Sequence, residues 1–177
     1  MTSQRVKLST HLGEFTIELE TAAAPETCRY FIELVQARKL DQFSIVRIAN
    51  TENTEHEPNY PIEIIQLSNL LDLNGSDIKQ DRVAHESTEV TGLRHKKWSV
   101  SAARFEIGYL YQSFFICLRD EPELDAGGRR NPDAAGFAVF GNVAEGFDVL
   151  QNIHNNAETS EMLTEPIVVK KIQLLTN

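Results

Sequence analysis

The sequence is poor in several features that would mark a specialised class of protein. Its two cysteines, Cys28 and Cys117, lie far apart and form no C-x-x-C motif. Each stands in an apolar setting, which predicts buried free thiols in a reducing compartment rather than a disulfide. No apolar stretch approaches the length of a membrane span, and "MTSQRVKLST" at the start lacks the apolar segment of a signal peptide. We therefore expect a soluble, cytoplasmic protein.

Positive charge is also scarce. The formal net charge is −9 at pH 7, and the longest basic runs are the pairs Lys96-Lys97, Arg129-Arg130 and Lys170-Lys171. Proteins that bind nucleic acid or anionic membranes normally gather basic residues in a run or on one face. The composition therefore argues against nucleic acid and membrane as partners. The negative charge and the absence of an obvious apolar stripe favour a monomer.

The common catalytic and metal-binding motifs are missing as well. None of the five histidines takes part in an H-x-x-x-H or H-E-x-x-H motif, so we expect no metal site and no other cofactor. The chain has no G-x-G-x-x-G, no P-loop and no G-x-S-x-G. These absences exclude the common hydrolytic and redox machineries as far as local motifs can reveal them.

Periodic apolar residues are present, and they predict a mainly β protein. "VKLSTHLGEFTIELE" alternates around Leu12-Gly13, as a β-hairpin does. In "APETCRYFIELV", Pro25 suits the first turn of a helix, and Cys28, Phe31 and Val35 follow at helical spacing. "AEGFDVLQNIHN" has the same spacing near the other end of the chain.

Further strands are predicted at 44–49, 61–67, 98–103, 113–118, 136–141 and in the final "PIVVKKIQLL". The stretch from Ser68 to Leu93 is mostly polar and predicts long connections, and the Gly- and Pro-rich residues 119–136 predict a loop. Seven or eight strands with one helix near each end of the chain favour a single domain, residues 1–177. Its expected form is a closed or nearly closed antiparallel barrel with the helices at its two ends.

One residue stands out from this pattern. In "DQFSIVRIAN" Arg47 interrupts an apolar run, and the next acidic residue is Glu52. A guanidinium keeps its charge at any ordinary pH, and burying it unpaired is costly. Arg47 must therefore either reach water from a strand edge or face a cleft.

The order of the segments resembles the cyclophilin family of peptidyl-prolyl cis-trans isomerases, in particular a bacterial branch. The likeness runs from about Val6 to Leu174. It is carried by "GEFTIELETAAAPETCRYFIELV", "IVRI", "IIQ", "WSVSAA", "SFFICL" and "FAVFGNVAEGFDVL". The resemblance implies a closed eight-stranded antiparallel β-barrel with two capping α-helices. It also implies catalysed rotation about X–Pro bonds in peptides and folding proteins, without a cofactor.

In this resemblance Arg47 matches the family's catalytic arginine, which would donate to the prolyl nitrogen as the bond twists. The remaining matches are Ile64, Phe115 and Leu124 in the proline pocket, Gln66 beside the arginine, Ala103 and Arg104, whose backbone would dock an extended substrate, and Ser113 and Phe137 where the family has a glutamine and a histidine.

The chain also departs from the family pattern. Val46 replaces the histidine before the arginine, Glu63 stands at the position of a pocket phenylalanine, and Glu123 stands at the tryptophan position of cyclosporin-binding members. Leu67-Ser68 replaces a pair of glycines, and "RFEIGYLYQS", which includes Tyr109–Tyr111 at the expected rim of the groove, lacks most of the family's Gly/Asn-rich loop. Two alternatives to an active isomerase therefore remain: a module that binds proline-containing segments with weak or no catalysis, and a small-molecule binder with Glu63 and Arg47 as polar contacts.

Overall fold

The computed structural model describes residues 4–55, 57–69 and 78–175. The strands are β1 Gln4–Thr10, β2 Gly13–Leu19, β3 Phe43–Ala49, β4 Ile64–Asn69, β5 Asp81–Arg82, β6 Ser99–Ala102, β7 Tyr109–Leu110, β8 Ser113–Cys117, β9 Ala138–Glu145, β10 Met162–Val168 and β11 Lys171–Leu175. The helices are α1 Pro25–Gln36, α2 Thr88–Thr91 and α3 Phe147–His154, with a 3-10 turn at Pro122–Leu124.

Nine of these strands form one strongly curled antiparallel sheet, in the order β10-β3-β4-β8-β6-β9-β2-β1-β11, and β5 pairs with β7 separately. The two ends of this order are consecutive in the chain. At their junction the N–H of Val169 donates to the carbonyl of Phe43 (3.0 Å), and the N–H of Lys170 donates to that of Ser9 (2.8 Å). The mainly β class is confirmed. The sheet has nine strands rather than the expected eight because the last predicted strand is divided at this junction.

Both predicted long helices are present, and each packs on the sheet. Helix α1 begins at Pro25 and lies against β9 and β11, whereas α3 lies against β2. Phe31 of α1 inserts between Phe114 and Phe140, with ring centroids 5.2 and 5.3 Å away. Glu86, which is distant from α1 in the sequence, caps its first turn: the Glu86 carboxylate accepts hydrogen bonds from the N–H groups of residues 26 and 27.

Side-chain alternation divides the apolar residues between two clusters. In β8, Phe114 and Ile116 belong to the main core under α1, whereas Phe115 and Cys117 belong to a smaller cluster on the other face of the strand. The smaller cluster is completed by Ala49, Ile62, Ile64, Ala103, Tyr111 and Leu124. This second cluster forms the floor of the candidate site.

The two cysteines are free and buried, as the sequence predicted. Burial raises the pKa of the Cys28 thiol and of the Cys117 thiol to about 12. In the polar stretch from Ser68 to Leu93, residues 70–77 lie outside the described residues, and the remainder contains only short elements of structure. No helix in the described part of the chain combines the length and apolar character needed to cross a membrane.

Candidate functional site

A β-bulge in β3 explains why an arginine occurs in this apolar strand. Ile45 pairs with Leu67 of β4, but Arg47 pairs with Gln66, so Val46 is an extra residue in β3. Ile45 and Ile48 both lie in the main core, which strict alternation along a strand would not allow. The bulge therefore turns Arg47 away from the core, toward the face that carries Phe115.

The guanidinium of Arg47 is held from two sides. Its Nε donates to Oε2 of Glu161 at 2.6 Å, its Nη2 lies 2.6 Å from the same oxygen, and its Nη1 donates to Oε1 of Gln66 at 3.1 Å. The side chains of Arg47 and Glu161 are 18% and 7% exposed. Arg47 is therefore ion-paired but not completely covered. The position of Glu161 follows from the sheet, because Met162 of β10 is the strand partner of Arg47.

Gln66 is itself held in place by hydrogen bonds. Its Nε2 donates to the hydroxyls of Ser113 (3.0 Å) and Tyr111 (3.2 Å), and the Ser113 hydroxyl donates to the carbonyl of Leu67 (2.8 Å). These bonds direct the amide oxygen of Gln66 toward Arg47. The chain of contacts thus fixes the plane of the guanidinium from the side opposite Glu161.

Arg47 lines a cleft of about 370 Å³. This volume is within the usual range of small-ligand pockets. Most of the predicted site residues line this cleft: Arg47, Ile64, Gln66, Ala103, Arg104, Phe115, Leu124 and Phe137. Ser113 does not line it, and instead lies behind Gln66. Phe115 and Phe137 meet edge to face, with ring centroids 5.5 Å apart, and form an apolar corner beside the arginine.

Arg104 contributes its side chain to the cleft wall in a way that the sequence did not predict. Its guanidinium makes a bidentate pair with Asp133 (2.7 and 2.8 Å) and donates from Nε and Nη2 to the carbonyl of Gly136. It also lies over the ring of Phe137, 5.3 Å from the centroid. Arg104 therefore fixes the loop that carries Phe137.

A buried polar network supports Phe115 from behind. Asp125 Oδ1 lies 2.7 Å from Nδ1 of His95, and Nε2 of His95 lies 3.0 Å from the Ser101 hydroxyl. The His95 ring is parallel to that of Phe115, at 6.0 Å between centroids. Burial lowers the pKa of His95, and the neighbouring carboxylate of Asp125 only partly opposes this effect. The imidazole is thus kept neutral behind the pocket.

The two carboxylates that depart from the family pattern do not line the cleft. Glu63 lies 3.7 Å from Arg119, and Glu123 binds Arg129 through both of its oxygens. Nothing in this geometry favours Glu63 as a ligand contact. Among the residues that the structure describes, no cluster of three or more His, Cys, Asp or Glu side chains is arranged to hold a metal ion.

Several residues of the site were missed by the sequence analysis, among them Glu161, Arg130 and Phe105. Glu161 lies more than a hundred positions from Arg47 in the chain, so no local pattern links the two. Arg130 belongs to the stretch "GGRR", which we assigned to a loop. Phe105 stacks on Tyr111 at the rim of the cleft, with ring centroids 4.7 Å apart. Its aromatic character was the one signal that could have identified it.

Comparisons with known proteins bear on the family and the fold. The family model "Cyclophilin type peptidyl-prolyl cis-trans isomerase/CLD" matches residues 5–174. Peptidyl-prolyl cis-trans isomerase cyp18 of Streptomyces antibioticus is 27% identical in an alignment of 177 positions. The alignment covers 96% of this chain and 98% of that protein.

Two crystal structures of a cyclophilin type peptidyl-prolyl cis-trans isomerase from Cryptosporidium parvum are 20% identical to this chain. One has a TM-score of 0.73 and covers 99% of both chains. The other, in the presence of the dipeptide Ala-Pro, has a TM-score of 0.71 and covers 98% of this chain and 99% of that chain. At this identity the two structures bear on the fold alone. Because the family model spans nearly the whole sequence, this chain belongs to the cyclophilin type peptidyl-prolyl cis-trans isomerase family.

Proposed function

We propose that this protein accelerates cis–trans isomerisation of X–Pro bonds in peptides and folding proteins. In this proposal Arg47 is the catalytic donor, and Ile64, Phe115, Leu124 and Phe137 hold the proline ring. The observation that carries it is that the guanidinium of Arg47 opens into the same cleft as this apolar corner. The curled sheet would form the closed eight-stranded barrel of the family, with β10 and β11 as one bent strand.

The chemistry requires little of the protein. Rotation about a peptide bond has a barrier of roughly 18–20 kcal/mol because amide resonance opposes it, and no covalent bond is broken. In the twisted state the prolyl nitrogen loses conjugation and becomes a better hydrogen-bond acceptor. A fixed, permanently charged donor beside it binds the twisted state more tightly than either planar isomer, which lowers the barrier.

Arg47 has the donors for this role. A guanidinium carries five N–H groups, and the contacts with Glu161 and Gln66 engage one edge and one end of it. These contacts with described residues engage one N–H group on each of the three nitrogens. They do not use all five N–H groups, so some can donate to a ligand in the cleft. We further propose that the substrate backbone runs past Ala103 and Arg104, as the family resemblance implies.

The expected partners are proline-containing peptides and unfolded proteins. The solved relative from Cryptosporidium parvum was crystallised in the presence of the dipeptide Ala-Pro, a ligand of the same chemistry. We also propose that the protein acts as a cytoplasmic monomer.

A second candidate function is a binding module with weak catalysis. It is favoured by the carboxylate of Glu161, which lies 2.6 Å from two nitrogens of Arg47. This negative charge offsets the positive charge that would stabilise the twisted state. The cleft could then bind proline without much acceleration.

Exchange NMR on an Ala-Ala-Pro-Phe amide peptide separates the two functions. An isomerase at catalytic concentration will produce exchange cross-peaks between the cis and trans signals, and Arg47→Ala will abolish them. Arg38→Ala is the matched control, because Arg38 is an exposed arginine paired with Asp41 at 2.9 Å, outside the cleft. Saturable shift changes without faster exchange in the unmodified protein would favour the binding module and overturn the proposed catalysis.

A further inference from the structure

Three of the described residues that line the cleft are arginines, and only two of them form an ion pair with a described carboxylate. Arg47 pairs with Glu161, and Arg104 pairs with Asp133. Arg130 is held by main-chain carbonyls, those of Glu57 (3.3 Å) and Tyr60. Within the described ranges, no carboxylate lies in ion-pair distance of Arg130.

Arg130 is nevertheless well removed from water, because the residue is only 5% exposed. Burial, together with the positive charge of Arg47, lowers the pKa of its guanidinium below the ordinary value, although the negative charges of Glu161, Glu57 and Glu121 partly oppose this effect. Carbonyl groups solvate a cation, but they do not cancel its charge. A desolvated cation with no carboxylate in direct contact attracts an anion more strongly than an exposed, paired one does.

The rest of the cleft strengthens this effect. Its described lining contains no acidic side chain, although the protein as a whole carries a net charge of −9. The side chains beside Arg130 in the lining are Asn131 and Pro132, which are uncharged. The three arginines therefore give the described lining a positive charge on an acidic protein, and Arg130 is the one of them that no described carboxylate contacts directly.

We propose that Arg130 makes the cleft selective for proline-containing segments that carry a carboxylate close to the proline. The carboxylate would belong to an acidic residue beside the proline or to a C-terminal proline itself. A charge-assisted hydrogen bond to a desolvated guanidinium is stronger than one between neutral groups, which gives the acidic peptide its advantage. This inference rests on the proposed function, since it concerns the same cleft.

Three pairs of peptides distinguish the sources of the carboxylate. The first pair has Glu or Gln before proline, the second has Glu or Gln after it, and the third ends in proline with a free or an amidated terminus. The readout is the ratio of kcat/KM for the charged member to that for the neutral member. We expect a ratio of about ten in at least one pair, as one charge-assisted hydrogen bond would give. The pair that shows it identifies the source.

Variants at two adjacent arginines test whether Arg130 is responsible. Arg130→Gln should bring the ratio close to one, and Arg130→Lys, which keeps the charge, should retain most of it. Arg129→Gln is the matched control, because it removes a cation one position away that is 66% exposed and paired with Glu123. That variant should leave the ratio unchanged.

Raising the salt concentration should lower the ratio in the unmodified protein, and this test needs no variant. A ratio near one in all three pairs, with normal turnover of the neutral peptides, would overturn the inference and leave the proposed function intact. If Arg130→Gln lowered kcat/KM equally for the charged and the neutral member of a pair, Arg130 would only anchor residues 57–60. That result would also overturn the inference. If no peptide is turned over, the proposed function fails, and binding of the same pairs measured by chemical-shift titration then tests selectivity separately.

Discussion

Replacing Arg47 by lysine separates its role in catalysis from its role in stability. The guanidinium reaches Glu161 and Gln66 on two sides at once. A lysine has one nitrogen on a flexible stem. In Arg47→Lys that nitrogen can still pair with Glu161, but the contact with Gln66 and the N–H groups that face the cleft are lost.

The structure allows the two effects to be estimated. Arg47→Lys keeps the ion pair and loses the hydrogen bond to Gln66, so the free energy of unfolding should fall by about 1 kcal/mol. Arg47→Ala removes the guanidinium that contacts Glu161, which is 7% exposed, and should lower the free energy of unfolding by about 3 kcal/mol. This is the lower end of the range for a broken buried pair, because Arg47 is partly exposed and Glu161 also accepts the N–H of Glu55 at 2.5 Å. Both variants lose the donor, and kcat/KM should fall about 10²- to 10³-fold in each.

Urea unfolding and the exchange assay on the Ala-Ala-Pro-Phe amide peptide give the two quantities. We expect the lysine and alanine variants to lose a similar fraction of kcat/KM, and the alanine variant to lose more stability. A lysine variant within about threefold of the unmodified rate would refute the guanidinium as donor, because that difference is far below the effect of losing such a donor. An alanine variant as stable as the lysine variant would refute the energetic role of the ion pair.

Two further predictions concern the support of the pocket. Because burial lowers the pKa of His95 in the folded state, the unfolded chain binds the extra proton first, and stability should fall by up to about 1.4 kcal/mol per pH unit as pH decreases below about 6.5. Urea unfolding at pH 7.5 and 5.5 should show a smaller slope for His95→Gln, and an equal slope would contradict this assignment. Gly136→Ala should lower stability by about 2–5 kcal/mol, because φ is +65° and a Cβ would lie 2.5 Å from the backbone of Asp125. Gly127→Ala, with φ +83° but open space around it, should cost only about 1–2 kcal/mol in the same thermal or urea unfolding experiment.

Local patterns predicted the elements that carry their own signals. Helix α1 was recognisable from Pro25 and the spacing of its apolar residues, and β8 from the run around Phe115. Strand ends were less accurate: β9 was expected at 136–141 and spans Ala138–Glu145. Such shifts follow from pairing with neighbouring strands, which the sequence of one strand does not contain.

The candidate site was predictable where family resemblance supplied positions, and not where contacts depend on sheet closure or on side-chain packing. Arg47, Gln66 and Phe115 meet at the cleft as the resemblance implied. Glu161 was not predictable because it reaches Arg47 only through the pairing of β10 with β3. Arg104 was expected to act through its backbone, and its buried pair with Asp133 depends on a loop whose path no periodicity reveals.

The junction at Val169 and Lys170 has a consequence for how the chain reaches this fold. These two residues connect the strand that pairs with β3 to the strand that pairs with β1, so their partners lie in the first third of the chain. Contacts between such distant segments form late, because the entropy of closing a long loop must be overcome before they stabilise anything. Until this segment docks, one edge of β1 and one edge of β3 have unpaired backbone groups that another chain could extend. We therefore expect these two edges to be sites of aggregation in newly made molecules before docking.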